Sequence, residues 1–161
     1  MTGHLVFSTL HTNDAPSAIS RLTDMGAEDY LIASSVLGIL AQRLVRVICP
    51  NCKTEIHPVP EMLKEIGFPQ NGGGNGHNRF YEGRGCAECG NTGFRGRIGI
   101  YELMIINEDI RRLTVAKSDA GLIRKKAVEN GMRSLRDDGW LKVRQGITSL
   151  AEVIRVTQEE A

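Results

Sequence analysis

The chain has 161 residues, with 20 Lys and Arg against 19 Asp and Glu, a formal charge of +1. That length suits about one ordinary domain, and the charge balance excludes a global basic signature for nucleic acid. The longest apolar stretch, Tyr30 to Ala41, falls short of the ~20 residues that span a bilayer. The N-terminus has neither the basic region nor the small-residue cleavage site of a signal peptide. With cysteines spaced as described below, these features point to a cytoplasmic chain.

Leu5-Val6-Phe7-Ser8-Thr9-Leu10 is a short run rich in β-formers, which predicts a buried strand. His11 follows where that strand ends. Asn13 or Asp14 can then cap a helix, with Pro16 in its first turn. Ile19, Leu22 and Met25 share one face of this helix, and Gly26 ends it. A longer helix is predicted from about Glu28, because Ala33, Val36, Leu37, Leu40, Leu44 and Val47 recur at helical spacing. Arg43 and Arg46 would share a face of it, three residues apart. A strand feeding a helix is the unit of a parallel α/β sheet.

Residues 47–97 read as a separate module. The chain's four cysteines form two matched knuckles, Cys49-Pro50-Asn51-Cys52 and Cys86-Ala87-Glu88-Cys89. Two residues between cysteines let one tight turn aim both sulfurs at a single point, and two such turns can surround a tetrahedral Zn²⁺. An Fe–S cluster competes for the same soft ligands. Two disulfides would need an oxidising compartment, and a redox dithiol would need only one knuckle. Structural zinc sites are closed, so a metal here holds the fold and performs no chemistry. His57 and His77 are then surface residues, because four thiolates complete the shell. Between the knuckles, Pro60 to Gly67 reads as a two-turn helix. Asn71 to Gly76 reads as a linker, since it lacks the Lys-Ser/Thr ending of a phosphate-binding loop. Lys53, Arg79, Arg84, Arg95 and Arg97 make the module locally basic, a surface for an acidic partner, a nucleic acid or an anionic lipid.

Residues 98–161 begin with a predicted strand, Ile98 to Ile106. Helices are predicted from near Asn107, Ser118 and Ser134, with Asp137 completing a capping box on the third. A final helix starts at Ser149, where Glu152 gives a second box. Gly131 and Gly146 are the expected stops. This helical part and the cysteine module are expected to have separate cores, so that losing one cysteine would loosen the module alone. A sheet of one or two strands cannot bury both faces, and no complete nucleotide-binding motif is present. Both features predict the C-terminal part of a longer protein.

Thr2 to Ala15, reading TGHLVFSTLHTNDA, resembles the histidine box of the secretion ATPases, the cytoplasmic motors of type II secretion and type IV pilus assembly. Ala41 to Arg46 with the first knuckle, Gly93 to Leu103, Met132 to Gly139 and Gly146 to Leu150 continue the resemblance in order. The paired knuckles match the secretion and pilus-extension branch. The resemblance implies an α/β fold: residues 1–46 as the C-terminal part of a RecA-like P-loop ATPase core, 47–97 as an inserted tetracysteine zinc module, and 98–161 as a closing strand with a small helical domain. It implies a homo-hexamer working against an inner-membrane platform protein at the cytoplasmic face of the inner membrane. The family's phosphate-binding loop and catalytic acidic residues are not among these residues. ATP and Mg²⁺ are therefore expected only in the intact protein, and these 161 residues alone are expected to be inactive.

His11 lies at the strand's carboxyl edge, where nucleotide phosphates lie in open α/β sheets. Together with the resemblance, this assigns His11 a nucleotide-linked catalytic role, and the resemblance extends such a role to His4. Seven residues separate His11 from His4, so on one regular strand the two would face opposite sides. Only one would then see phosphate, leaving His4 to support the strand or an interface. Both also fit as ordinary partly buried histidines. Arg43 could reach the nucleotide or a neighbouring subunit, or sit solvated. The reading from a different class is a standalone zinc ribbon that binds nucleic acid. The segment from His4 to Ala15 favours the motor, because a zinc ribbon has no use for it.

Overall fold

The computed structural model describes residues 3–69 and 79–158. The predicted linker at Asn71 to Gly76, and His77, lie outside the described residues. The fold is mixed α/β. The chain divides into two compact units, residues 1–41 with 103–132, and residues 42–102 with 133–161. Among the described residues, no helix is long and apolar enough to cross a membrane.

The first unit contains the predicted capping turn. Helix α1 is Ser17–Asp24. The Ser17 N–H donates to Asp14 Oδ1 at 2.8 Å, so Asp14 satisfies one of the orphan donors at that helix start. Gly26 ends the turn beyond it at φ +90°. Helix α2 is Asp29–Ser35, α4 is Glu108–Val115 with Asn107 as its cap, and α5 is Ala120–Glu129 capped by Asp119. Ala15, Ile19, Met104, Ile106, Ile110, Ile123 and Ala127 form one core among them. Met25, expected on the buried face of α1, is exposed.

Two predicted elements differ. No strand forms at Leu5–Leu10: residues 3–12 have no regular secondary structure, and Leu5, Val6 and Phe7 are 67%, 78% and 89% exposed. A strand needs a partner for its N–H and C=O groups, and none of the described strands pairs with this run. The long helix from Glu28 stops at Ser35. Beyond it the chain becomes strand β1, Gly38–Ile48, which pairs with β4, Phe94–Ile105. The helical spacing of Leu40, Leu44 and Val47 was coincidental. Ile39, Ala41 and Val45 turn inward while Leu40, Gln42 and Leu44 turn outward, which is the alternation of a strand. Gly38 suits that pairing, since a Cβ there would lie 3.3 Å from the Met104 carbonyl oxygen.

The second unit joins the cysteine module to the C-terminal helices. Strands β2, Lys53–Ile56, and β3, Phe80–Gly83, pair antiparallel, with Lys53 opposite Gly83 and Ile56 opposite Phe80. Helix α3 is Pro60–Glu65, ended by Gly67 at φ +69°. Helix α6 is Leu135–Arg144, with the predicted Ser134–Asp137 capping box formed in both directions. Helix α7 is Leu150–Thr157, capped by Ser149. Separate cores are not what forms. Leu63, Phe68 and Phe80 of the module pack with Trp140, Val143, Leu150 and Val153 of α6 and α7 in a single cluster. Phe68 meets Phe80 edge-on at 5.1 Å and Trp140 at 5.4 Å, the geometry that aromatic quadrupoles favour. Gly139 lets the two helices approach, because a Cβ there would lie 2.5 Å from Val153 Cγ1.

Candidate metal centre and the histidine segment

Two tight turns position the four cysteines. Cys52 N–H donates to the Cys49 carbonyl and Cys89 N–H to the Cys86 carbonyl, so each knuckle folds back on its first residue. The second knuckle is a short 3-10 turn, Ala87–Cys89, followed by Gly90 in the left-handed region. Gly83 and Gly93 are pressed backbone to backbone: a Cβ on either would lie within 2.4 Å of the other's carbonyl oxygen. Only glycine permits that approach, which brings β3 against the loop after Cys89. Cys49 N–H donates to the Gly93 carbonyl, tying the two knuckles together.

The four sulfurs lie within 4.8 Å of one another. Cys49–Cys86 and Cys52–Cys89 are 3.9 Å apart, and Cys86–Cys89 3.7 Å. A tetrahedron of thiolates ~2.3 Å from one ion has edges of ~3.8 Å. Disulfide sulfurs would stand ~2.05 Å apart. The arrangement can hold a metal ion at its centre.

The electrostatics point the same way. Burial pushes the Cys89 thiol up, but N–H donation from Cys86 and Gly93 and the neighbouring thiols outweigh it, holding it at about 6. Both N–H to sulfur distances are 3.3 Å. Burial pushes Cys52 up to about 11 and raises Cys86 as well. Cys89 is thus biased toward the thiolate, and Cys52 and Cys86 toward the thiol, a bias that a bound cation would reverse. His57 is exposed, and among the described residues no histidine joins this cluster.

The histidines belong to the other unit. His4 and His11 are both exposed. His11 precedes the turn at Asp14 and Ala15, in a segment with no regular backbone pairing. Without a strand at residues 3–12, alternation does not place His4 and His11 on opposite sides. The turn itself is fixed: Ala15 is fully buried, and Asp14 Oδ2 lies 2.6 Å from Arg124 Nη2 on α5. The sequence reading had no means of finding that ion pair, since its members are distant in the chain.

Arg43 and Arg46 do not share a helical face. On β1, three residues apart, they point to opposite sides. Arg43 is exposed. Arg46 reaches Glu152, whose side chain is fully enclosed. The Glu152 carboxylate accepts from Arg46 N–H at 3.0 Å, Arg46 Nη2 at 2.8 Å, Arg155 Nε at 3.0 Å and Arg155 Nη2 at 2.7 Å. The second capping box is thus only half formed: Ser149 accepts the Glu152 N–H, but the carboxylate turns to the arginines. Burial pushes this carboxyl up, yet the hydrogen bonds from Arg155 and Arg46 outweigh it and hold it at about 2.

A depressed carboxyl stabilises the fold above its unfolded pKa, and that stability is lost as pH falls through the folded value. Glu152→Gln is expected to cost on the order of 3 kcal/mol at pH 7. The gap between the two proteins should narrow below about pH 4.5 and close near pH 2. Denaturant titrations from pH 7 to 3 check this. A gap of constant size would show that packing, not the carboxylate charge, is what the substitution removes.

Residues 1–155 match the family described as Type II/IV secretion system protein. The chain is 46% identical over 162 residues to a type IV pilus assembly ATPase, PilB, of Thermus thermophilus, an alignment covering 99% of this chain and 18% of that protein. It is 47% identical to a type II secretion system ATPase E of Vibrio cholerae, covering 99% of this chain and 31% of that protein. It is 46% identical to a type II secretion system protein E of Pseudomonas aeruginosa, again over 99% and 31%. The chain therefore spans a fifth to a third of these relatives' length.

Proposed function

Because the chain belongs to the type II/IV secretion system protein family, we infer that it is part of a motor ATPase that powers type II secretion or type IV pilus assembly. The observation that carries this is a match over 99% of the chain to proteins named as ATPases of those two machines. In this reading the intact protein is a homo-hexamer built on a RecA-like core. It stands at the cytoplasmic face of the inner membrane and pushes on a platform protein there. Nucleic acid is not among its partners.

Three groups of residues have roles. Cys49, Cys52, Cys86 and Cys89 hold a structural Zn²⁺. A single ion fits sulfurs 3.7–3.9 Å apart, whereas a cluster of several irons would hold its thiolates further apart. When bound, the ion supplies fold and no chemistry. His11 takes a phosphate-edge role from the family rather than from a strand, since none forms at Leu5–Leu10; there an imidazole can donate to a phosphate oxygen or orient a water. Its exposure leaves it available to such a ligand. His4 supports that segment, and Arg43 reaches nucleotide or a neighbouring subunit.

The β- and γ-phosphates need a cradle of backbone N–H groups, a lysine and a Mg²⁺-holding hydroxyl, and the sequence of this chain contains no such loop. These 161 residues alone are therefore expected to hydrolyse ATP at the background rate, and the intact protein to hydrolyse it well above that rate. Micromolar ATP affinity for the 161 residues, measured by calorimetry, would place the phosphate cradle within this chain and reject the assignment. Absence of ATP hydrolysis by the intact protein would reject the motor reading.

A further inference from the structure

The turn after His11 is held from two sides by one helix. Ala15 is fully buried and packs in the cluster that includes Ile123 and Ala127 of α5. Asp14, one residue earlier, meets Arg124 of the same helix at 2.6 Å. Only 16% of the Asp14 side chain and 35% of the Arg124 side chain are exposed, so water screens the pair less than it would at an open surface. The two oxygens of Asp14 divide the work. Oδ2 takes Arg124, and Oδ1 takes the first N–H of α1. No regular pairing fixes residues 11 and 12. The Asp14–Ala15 anchor fixes the turn three residues after His11.

We propose that Arg124 is a positioning residue: through Asp14 it sets where His11 stands, and so couples the placement of α5 to ATP turnover. This rests on the reading of His11 as a phosphate-edge residue. The chemistry requires such an anchor. An imidazole that donates to phosphate or orients a water must be held near its productive place, and misplacement by ~1 Å costs up to ~100-fold in rate. His11 has no strand beneath it among the described residues. Arg124 acts on the turn through its ion pair with Asp14. Asp14→Asn separates the two duties of that residue, because asparagine still caps a helix but no longer carries the charge that Arg124 meets.

The test uses the intact protein and four variants: Arg124→Ala, Arg124→Lys, Asp14→Asn and the Asp14→Asn/Arg124→Ala double. Amide exchange at residues 12–17 is expected to quicken by about tenfold in Arg124→Ala and Asp14→Asn. Turnover is expected to fall ~10- to 100-fold with KM for ATP changed by less than about twofold. Arg124→Lys should recover most of the turnover, and the double variant should be no worse than either single one. Unchanged exchange at those amides would overturn the link, whatever the turnover. Quickened exchange with full turnover in Arg124→Ala would overturn its coupling to catalysis, as would losses that multiply in the double variant. His11→Ala, run in parallel, tests the separate reading of the histidine. If that variant keeps full turnover, His11 loses its phosphate-edge role, while amide exchange still decides whether Arg124 holds the turn.

Discussion

Removing the metal is expected to unfold both the cysteine module and the C-terminal helices packed on it. Metal analysis of the purified protein should find about one Zn²⁺ per chain. Chelation, or Cys86→Ser, should abolish the cooperative unfolding of residues 42–102 and 133–161. The expectation follows from the shared core: Leu63, Phe68 and Phe80 on the module side pack with Trp140, Val143, Leu150 and Val153. Structural zinc contributes an apparent ~10–16 kcal/mol in small zinc modules. That is comparable to the ~5–15 kcal/mol by which whole domains are stable, so the unit has little reserve to replace it. Trp140 is the chain's one tryptophan and is buried against Phe68. Its emission should shift to the red as the core opens. The core of α1, α2, α4 and α5 contains none of these side chains, and helical circular dichroism from it should persist. Trp140 emission unchanged after verified loss of the metal would sink the structural role of the ion. An iron–sulfur absorption band would sink its identity as zinc.

His11→Ala in the intact protein is expected to cut ATP turnover by about tenfold or more, against the ~10²–10⁴ that a positioned acid, base or donor typically contributes. Zinc content and melting temperature should barely move, because His11 is exposed and is absent from both apolar cores. Truncating an exposed side chain that packs nothing typically changes stability by less than ~0.5 kcal/mol. Melting temperature and turnover must be measured on the same preparation. A large drop in melting temperature with normal turnover per folded molecule would reassign His11 to packing. The Arg124 variants approach the same site from behind: they should lose turnover through the turn, with the imidazole still present.

Much of this protein is legible in its sequence because the signals are local. Two Cys-x-x-Cys turns can only aim their sulfurs inward, so the four cysteines converge as expected. Ser134 and Asp137 form their reciprocal box, Asn107 caps α4, and Gly131 and Gly146 adopt the positive φ of helix stops. Residues within one or two turns of one another settle each cap, each stop and each knuckle, while long-range contacts such as Cys49 N–H to the Gly93 carbonyl bring the two knuckles together. The motifs from Thr2 to Leu150 also identify the family, since their order and spacing extend along nearly the whole chain.

What only the tertiary structure decided depends on residues far apart in the chain. Residues Gly38–Ile48 carry a helical spacing of apolar side chains, yet β4 supplies a partner and the segment becomes a strand. Leu5–Leu10 carries the signature of a strand, yet no partner among the described residues reaches it. Strand pairing satisfies backbone groups through another segment, so propensity alone cannot settle it. The fusion of the module's core with that of α6 and α7, the Arg46–Glu152 ion pair, and the Asp14–Arg124 anchor have the same origin. Each joins groups whose sequence neighbours are silent about the partner, and burial creates the interaction only once the chain has folded back on itself.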